Sequence, residues 1–239
     1  CDVVFHPLLL ASTFAQEGWH VHLEEEKAAL QYMGVVFNEM KGAYADPLRS
    51  LVHDVYKGLM PGSTYAHESG GDPRAIPDLS YEQFRQFHAV HYHPSNSTLF
   101  FYGDAPLEEE LAYVQEQFLA RYQEAGPLAQ CEEGHTPQAL QTLCDSYPVQ
   151  AGSDTSGKTF IAVASAVGAV QEREKTLAFE IIANSLFNSD ASPLKNAILG
   201  ADLGKDFGGL CMGGSGFKVL MLTYLIGSDQ DKAETFFSM

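Results

Sequence analysis

The chain has 239 residues, long enough for one large domain or two small ones. With 14 Lys and Arg against 31 Asp and Glu, its formal charge is −17, which leaves no basic stripe to neutralise phosphates and argues against nucleic-acid binding. Four cysteines without CxxC spacing exclude a disulfide framework and a cysteine zinc site, and read as reduced thiols in an intracellular compartment.

The apolar runs are too short to span a bilayer, and the first residues lack the basic region of a signal peptide. The chain opens on Cys1-Asp-Val-Val-Phe5 and stops at Phe236-Phe-Ser-Met239, within an unfinished helical pattern. Both ends read as cuts in a longer polypeptide.

Residues 7–15 read as a loop or the end of a helix. Glu17 to Leu23 alternates, with Trp19, Val21 and Leu23 on an inner face and His20 and His22 on a wet one, which predicts a half-buried strand. The segment Gly34-Val-Val-Phe-Asn-Glu-Met-Lys-Gly-Ala-Tyr44 predicts a helix. At about 100° per residue, Val35, Val36, Phe37, Met40, Ala43 and Tyr44 form one apolar arc, and Glu39 falls inside it. A carboxylate on a core-facing arc is costly unless a cation or metal satisfies it. Glu39 therefore has either a basic partner or a place in a functional cavity.

Pro47 ends that helix, and a second runs from Leu48 to Leu59 before the stop signal Met60-Pro-Gly-Ser63. Residues 62–79 are loop. Ser80-Tyr-Glu-Gln83 is a capping box that starts a helix with Phe84, Phe87 and Val90 inward. Thr98-Leu-Phe-Phe-Tyr102 predicts a short strand, and residues 107–123 a helix with Leu107, Leu111, Val114, Phe118 and Tyr122 as its stripe. Residues 124–157 read as a linker, with an edge strand over Leu143–Val149.

Beyond it the pattern restarts. Thr159 to Val167 predicts a strand, and Lys175 to Phe187 a helix that is apolar nearly all round and so deeply buried. Ser192-Pro-Leu-Lys195 begins another helix. Phe207–Met212 and Lys218–Ile226 predict an antiparallel hairpin across the turn Gly213-Gly-Ser-Gly216, and a helix starts at Asp229. The fold class is α+β: two units (1–123 and 158–239), each with antiparallel strands packed against helices, both incomplete. Incomplete sheets leave open edges that favour aggregation.

His88 and His91 lie one helical turn apart with His93 nearby, but a zinc site needs a further ligand, and a structural or solvent-facing role suits this trio better. His20 and His22 share one strand face and suit the wet side of a sheet. No G-x-S-x-G elbow or P-loop occurs.

Four segments carry a resemblance. They are Phe14-Ala-Gln-Glu-Gly-Trp-His20, the Glu39 helix, Ser69-Gly-Gly-Asp-Pro73 with Ile76-Pro-Asp-Leu79, and His91-Tyr-His-Pro-Ser-Asn96 followed by Phe100-Phe-Tyr-Gly-Asp104. In this order and spacing, residues 12–104 resemble the presequence-protease branch of the pitrilysin/insulinase zinc metallopeptidases; 158–239 match more loosely. The resemblance implies α+β units around a peptide-binding chamber, with zinc held by an H-x-x-E-H motif and a distant glutamate. Glu39 occupies the position of that glutamate. No H-x-x-E-H occurs in these 239 residues, so the zinc histidines and general base would lie upstream and this chain would be inert. The resemblance further implies peptide substrates such as cleaved targeting sequences, no membrane partner, and a bacterial cytoplasm or organelle matrix. A non-catalytic binding or scaffold subunit of the same fold is the alternative.

Overall fold

The computed structural model describes residues 2–122, 125, 126, 128–213 and 216–239. In chain order the elements are α1 (Asp2–Phe5), α2 (Ala11–Thr13, continued by a π turn at Phe14–Gly18), β1 (His20–His22), β2 (Gln31–Met33), α3 (Val35–Ala43), α4 (Pro47–Leu59), α5 (Tyr81–His91), α6 (Leu107–Gln117), β3 (Thr159–Ala169), α7 (Arg173–Ala183, continued by a π turn at Asn184–Asn188), α8 (Pro193–Gly200), β4 (Asp206–Met212), β5 (Lys218–Ser228) and α9 (Ala233–Ser238). Helices and antiparallel sheets give the expected α+β class. Two compact units form, each from two stretches of chain: Cys1–Glu39 with Asp72–Cys131, and Met40–Gly71 with Glu132–Met239. The division falls within α3.

Several helix boundaries follow from local chemistry. Asp46 caps α4 by accepting the Leu48 and Arg49 amides at 2.9 and 3.3 Å, and Pro47 sits in the first turn, where its missing N–H costs nothing. Ser80 accepts the Gln83 amide while the Gln83 side chain accepts the Ser80 amide at 2.7 Å, the reciprocal pair that the sequence predicts. Ser192 caps α8 through the Lys195 amide.

In the first unit, β1 and β2 form a two-stranded antiparallel ribbon with Val21 opposite Tyr32. The β2 strand does not stand out in the sequence. Gly34 closes the ribbon: its φ is +151°, and a Cβ there would lie 2.2 Å from the Gly18 carbonyl oxygen. The ring of Phe14 packs near Tyr81 and Phe84 of α5, and the Trp19 indole donates to the Leu79 carbonyl at 2.9 Å. Phe5 packs on Phe118, which is buried together with Val114.

Four expectations for this unit are corrected. His20 and His22 are half-buried while Val21 and Leu23 are open, so the ribbon presents the opposite face to the one predicted. Phe84 and Phe87 on α5, and Leu107 and Leu111 on α6, are exposed rather than buried; Phe14 packs near Phe84 but leaves it 38% exposed. Residues 98–102 form no strand: a strand requires a partner ladder, and Phe100 and Tyr102 are 86% and 95% exposed.

In the second unit, β5 is central in a three-stranded antiparallel sheet of order β3-β5-β4. One face carries the core: Ile161, Ala183, Phe187, Ile198, Leu203, Phe207, Leu225 and Phe236. Leu220 and Leu222 are also fully buried, and by strand parity they lie on the face opposite Leu225. Helix α4 packs against β3.

Helix α7 buries only one side. Ala183 is enclosed, as is Phe187 in the following turn, whereas Leu177 and Ile181 are 57% and 59% exposed, which corrects the expectation of burial all round. Gln123, at the end of the helix expected over 107–123, and Glu124 and Pro127 of the expected linker lie outside the described residues. Residues 132–135 are not free chain: Glu132 exchanges hydrogen bonds with Thr64, and the His135 amide donates to the Pro61 carbonyl. Leu143–Val149 forms no strand. In the predicted hairpin turn, Gly214 and Ser215 lie outside the described residues.

Candidate functional site

Helix α3 buries Phe37 and Met40, at 8% and 6% exposure, with Tyr44 half-buried one turn further on. This i, i+3, i+7 stripe is the inner face. Glu39 does share a face with Val35 and Val36, as helical spacing predicts, but that face is open: the two valines are 45% and 38% exposed and Glu39 is exposed with them. The predicted inward direction of this carboxylate is therefore corrected. Among the described residues, the Glu39 carboxylate makes no hydrogen bond or ion pair, so the reading of a carboxylate satisfied by a lysine or arginine does not hold here. What α3 presents is an unpaired carboxylate within an uncovered apolar patch.

The histidines are separately engaged. The His20 Nδ1–H donates to the Ala15 carbonyl at 2.8 Å, and its ring meets that of His22 edge-on at 5.9 Å. The His88 Nε2–H donates to the Val4 carbonyl at 2.9 Å while the ring stacks on Tyr92. His91 packs on Phe87. His93 Nδ1 accepts the amides of Ser95 and Gly126, both at 3.2 Å, and contacts the Ser95 hydroxyl. A Cβ at Gly126 would lie 2.4 Å from the His93 ring, so this approach requires glycine. These contacts give the trio structural roles.

Among the described residues, no group of three or more His, Cys, Asp or Glu side chains could hold a metal ion. A catalytic zinc takes three protein ligands. The described residues do not by themselves fit such a centre.

Glu172 and Cys211 are both shifted. The Glu172 carboxylate accepts the Ala169 amide at 2.9 Å and lies 3.4 Å from Lys175 Nζ; both stabilise its charge and lower its pKa. Burial pushes the Cys211 thiol up, and the Glu180 carboxylate adds to the effect. The sequence reading missed the contact of Asn188 with Gly209, 21 positions away, which no local pattern announces, and that of Asp206 with the adjacent Phe207 amide. No described helix is long and apolar enough to cross a membrane.

Solved structures share this fold. The peptidase M16 inactive domain from Pseudomonas fluorescens aligns with a TM-score of 0.59 at 17% identity, covering 95% of this chain and 49% of that one. A protease from Helicobacter pylori aligns at 0.55 and 17%, covering 85% and 48%. The sheet and its helices are thus those of an M16-type α+β protein. A family model described as "Peptidase M16 inactive domain" matches residues 78–237. Protein HypA of Clostridium perfringens is 36% identical over 210 residues, 87% of this chain and 22% of that protein. Mitochondrial presequence protease of Xenopus tropicalis is 35% identical over 214 residues, 86% of this chain and 20% of the relative. The chain belongs to peptidase family M16 and is homologous to presequence proteases; it spans about a fifth of the length of these curated relatives.

Proposed function

We propose that this chain is part of an M16 zinc metalloendopeptidase of presequence-protease type, and that Glu39 is its contribution to the metal. The zinc histidines and the general-base glutamate would come from an H-x-x-E-H motif outside these 239 residues. The observation that carries the reading is the identity of 35% with a presequence protease over 214 residues, combined with the unpaired Glu39 in its Asn-Glu-Met-Lys-Gly setting. An exposed carboxylate beside exposed Val35 and Val36 suits a face that another part of a longer protein covers. Residues 158–239 are proposed as the start of a second M16-type unit, with 1–123 the end of a first and 124–157 between them. Substrates would be unstructured peptides such as cleaved targeting sequences. Relatives named as mitochondrial support an organelle matrix, and the Clostridium relative a bacterial cytoplasm.

A second reading, a non-catalytic scaffold subunit, has its own support. The matching family model is that of the inactive domain, and a chain of Candida albicans complex III aligns with a TM-score of 0.55 at 14% identity. The coding sequence upstream separates the two: H-x-x-E-H there favours the peptidase, and its absence favours the scaffold.

Glu39→Gln tests the metal role in the intact protein. Loss of a direct ligand lowers bound zinc, measured by elemental analysis, and reduces peptide cleavage by about 100-fold or more. Stability changes by less than about 0.5 kcal/mol, as for an exposed unpaired side chain. Unchanged zinc content with lowered stability would instead mark Glu39 as structural.

A further inference from the structure

The sheet order β3-β5-β4 leaves β4 at an edge. In an antiparallel strand the N–H and C=O of one residue point to the same side, and alternate residues alternate sides. Gly209 stands opposite Thr223 of β5, yet its polar groups turn the other way. Its amide donates to Asn188 Oδ1 at 3.1 Å, and its carbonyl accepts from Asn188 Nδ2 at 3.0 Å. A carboxamide offers one acceptor and donors side by side, so it mimics the residue that a neighbouring strand would present.

Phe207, two residues earlier, has the same parity. Its amide donates to Asp206 Oδ1 at 2.8 Å, and Lys195 Nζ lies 3.2 Å from that same oxygen. The glycine is needed for the close fit, because a Cβ at position 209 would lie 2.3 Å from Phe187 Cδ2. At two successive outward positions of β4 the amide is therefore held by a side chain of the same unit, and at Gly209 the carbonyl is held as well.

An open strand edge is a template for pairing with another chain, and edge charges and competing hydrogen bonds oppose it. We propose that Asn188 and Asp206 plug the β4 edge, and so keep it from pairing strand for strand with β4 of a second copy of this chain. Such a pair would be antiparallel and isologous. The plug works whatever chemistry the longer protein performs.

The test uses the full chain. Wild-type Gly209 should show slowed amide exchange by NMR; exchange at the rate of an unprotected amide overturns the proposal outright. In Asn188→Ala, Gly209 should exchange about tenfold faster or more at low concentration. Sedimentation should then show self-association that grows with concentration, with the Phe207, Gly209 and Cys211 amides becoming protected in the associated form. Unchanged Gly209 exchange, or faster exchange in a chain that stays as monomeric as wild type, overturns the plug. Should the alanine variant fail to fold, Asn188→Asp keeps the shape and the acceptor but loses the donor. Its Gly209 amide should remain protected, and loss of that protection in a folded variant also counts against the proposal.

Discussion

Cys211 illustrates how a single residue's chemistry is set by its surroundings. Its thiol is half-buried in β4, and desolvation, with Glu180 nearby, disfavours the thiolate. Cys131 and Cys144 are exposed. Iodoacetamide at mildly alkaline pH should therefore alkylate Cys131 and Cys144 well before Cys211, as followed by mass spectrometry; first modification at Cys211 would contradict the burial argument. The sign for stability follows from the raised pKa. The folded chain holds the Cys211 proton to higher pH than the unfolded chain, so this contribution is intact below about pH 8.5, the unfolded thiol value, and is lost as pH rises through the folded one. Glu39 was legible as an anomaly from helical spacing alone. Its exposure was not, because spacing defines which residues share a face and not what lies opposite that face.

At the scale of elements, the parts written in neighbouring residues were readable. The Ser80/Gln83 capping box and the Ser192-Pro193 start of α8 both depend on groups within three positions of one another. Ser80→Ala should cost about 1 kcal/mol and speed exchange at the first turn of α5, measured by denaturant titration and hydrogen exchange. A loss below a few tenths would mean that the helix start is held by other contacts. Elements that need distant partners were less readable. The segment Thr98–Tyr102 has strand-forming residues and no ladder, while the short β2 pairs with β1 without a strong pattern of its own. The apolar residues of α7 predicted burial all round, but the sheet covers one side only.

At the scale of the molecule, the sheet unit concentrates its stability around β5. Leu225 has no exposed surface and packs within the cluster of Phe187, Phe207 and Phe236. Leu225→Ala should destabilise the chain by about 2–5 kcal/mol, whereas Leu177→Ala on the exposed side of α7 should stay within about 0.5 kcal/mol. Equal losses in denaturant unfolding would show that the open face of α7 is covered in solution.

Composition, helix starts and stops, the α+β class and the family motifs all came from the sequence by itself, since each rests on residue chemistry or on spacing along one element. Tertiary structure alone decided which faces are covered, why His93 needs Gly126 beside it, and that Asn188 sits against Gly209. Those two contacts join residues 33 and 21 positions apart, and hydrophobic periodicity carries no record of such distances.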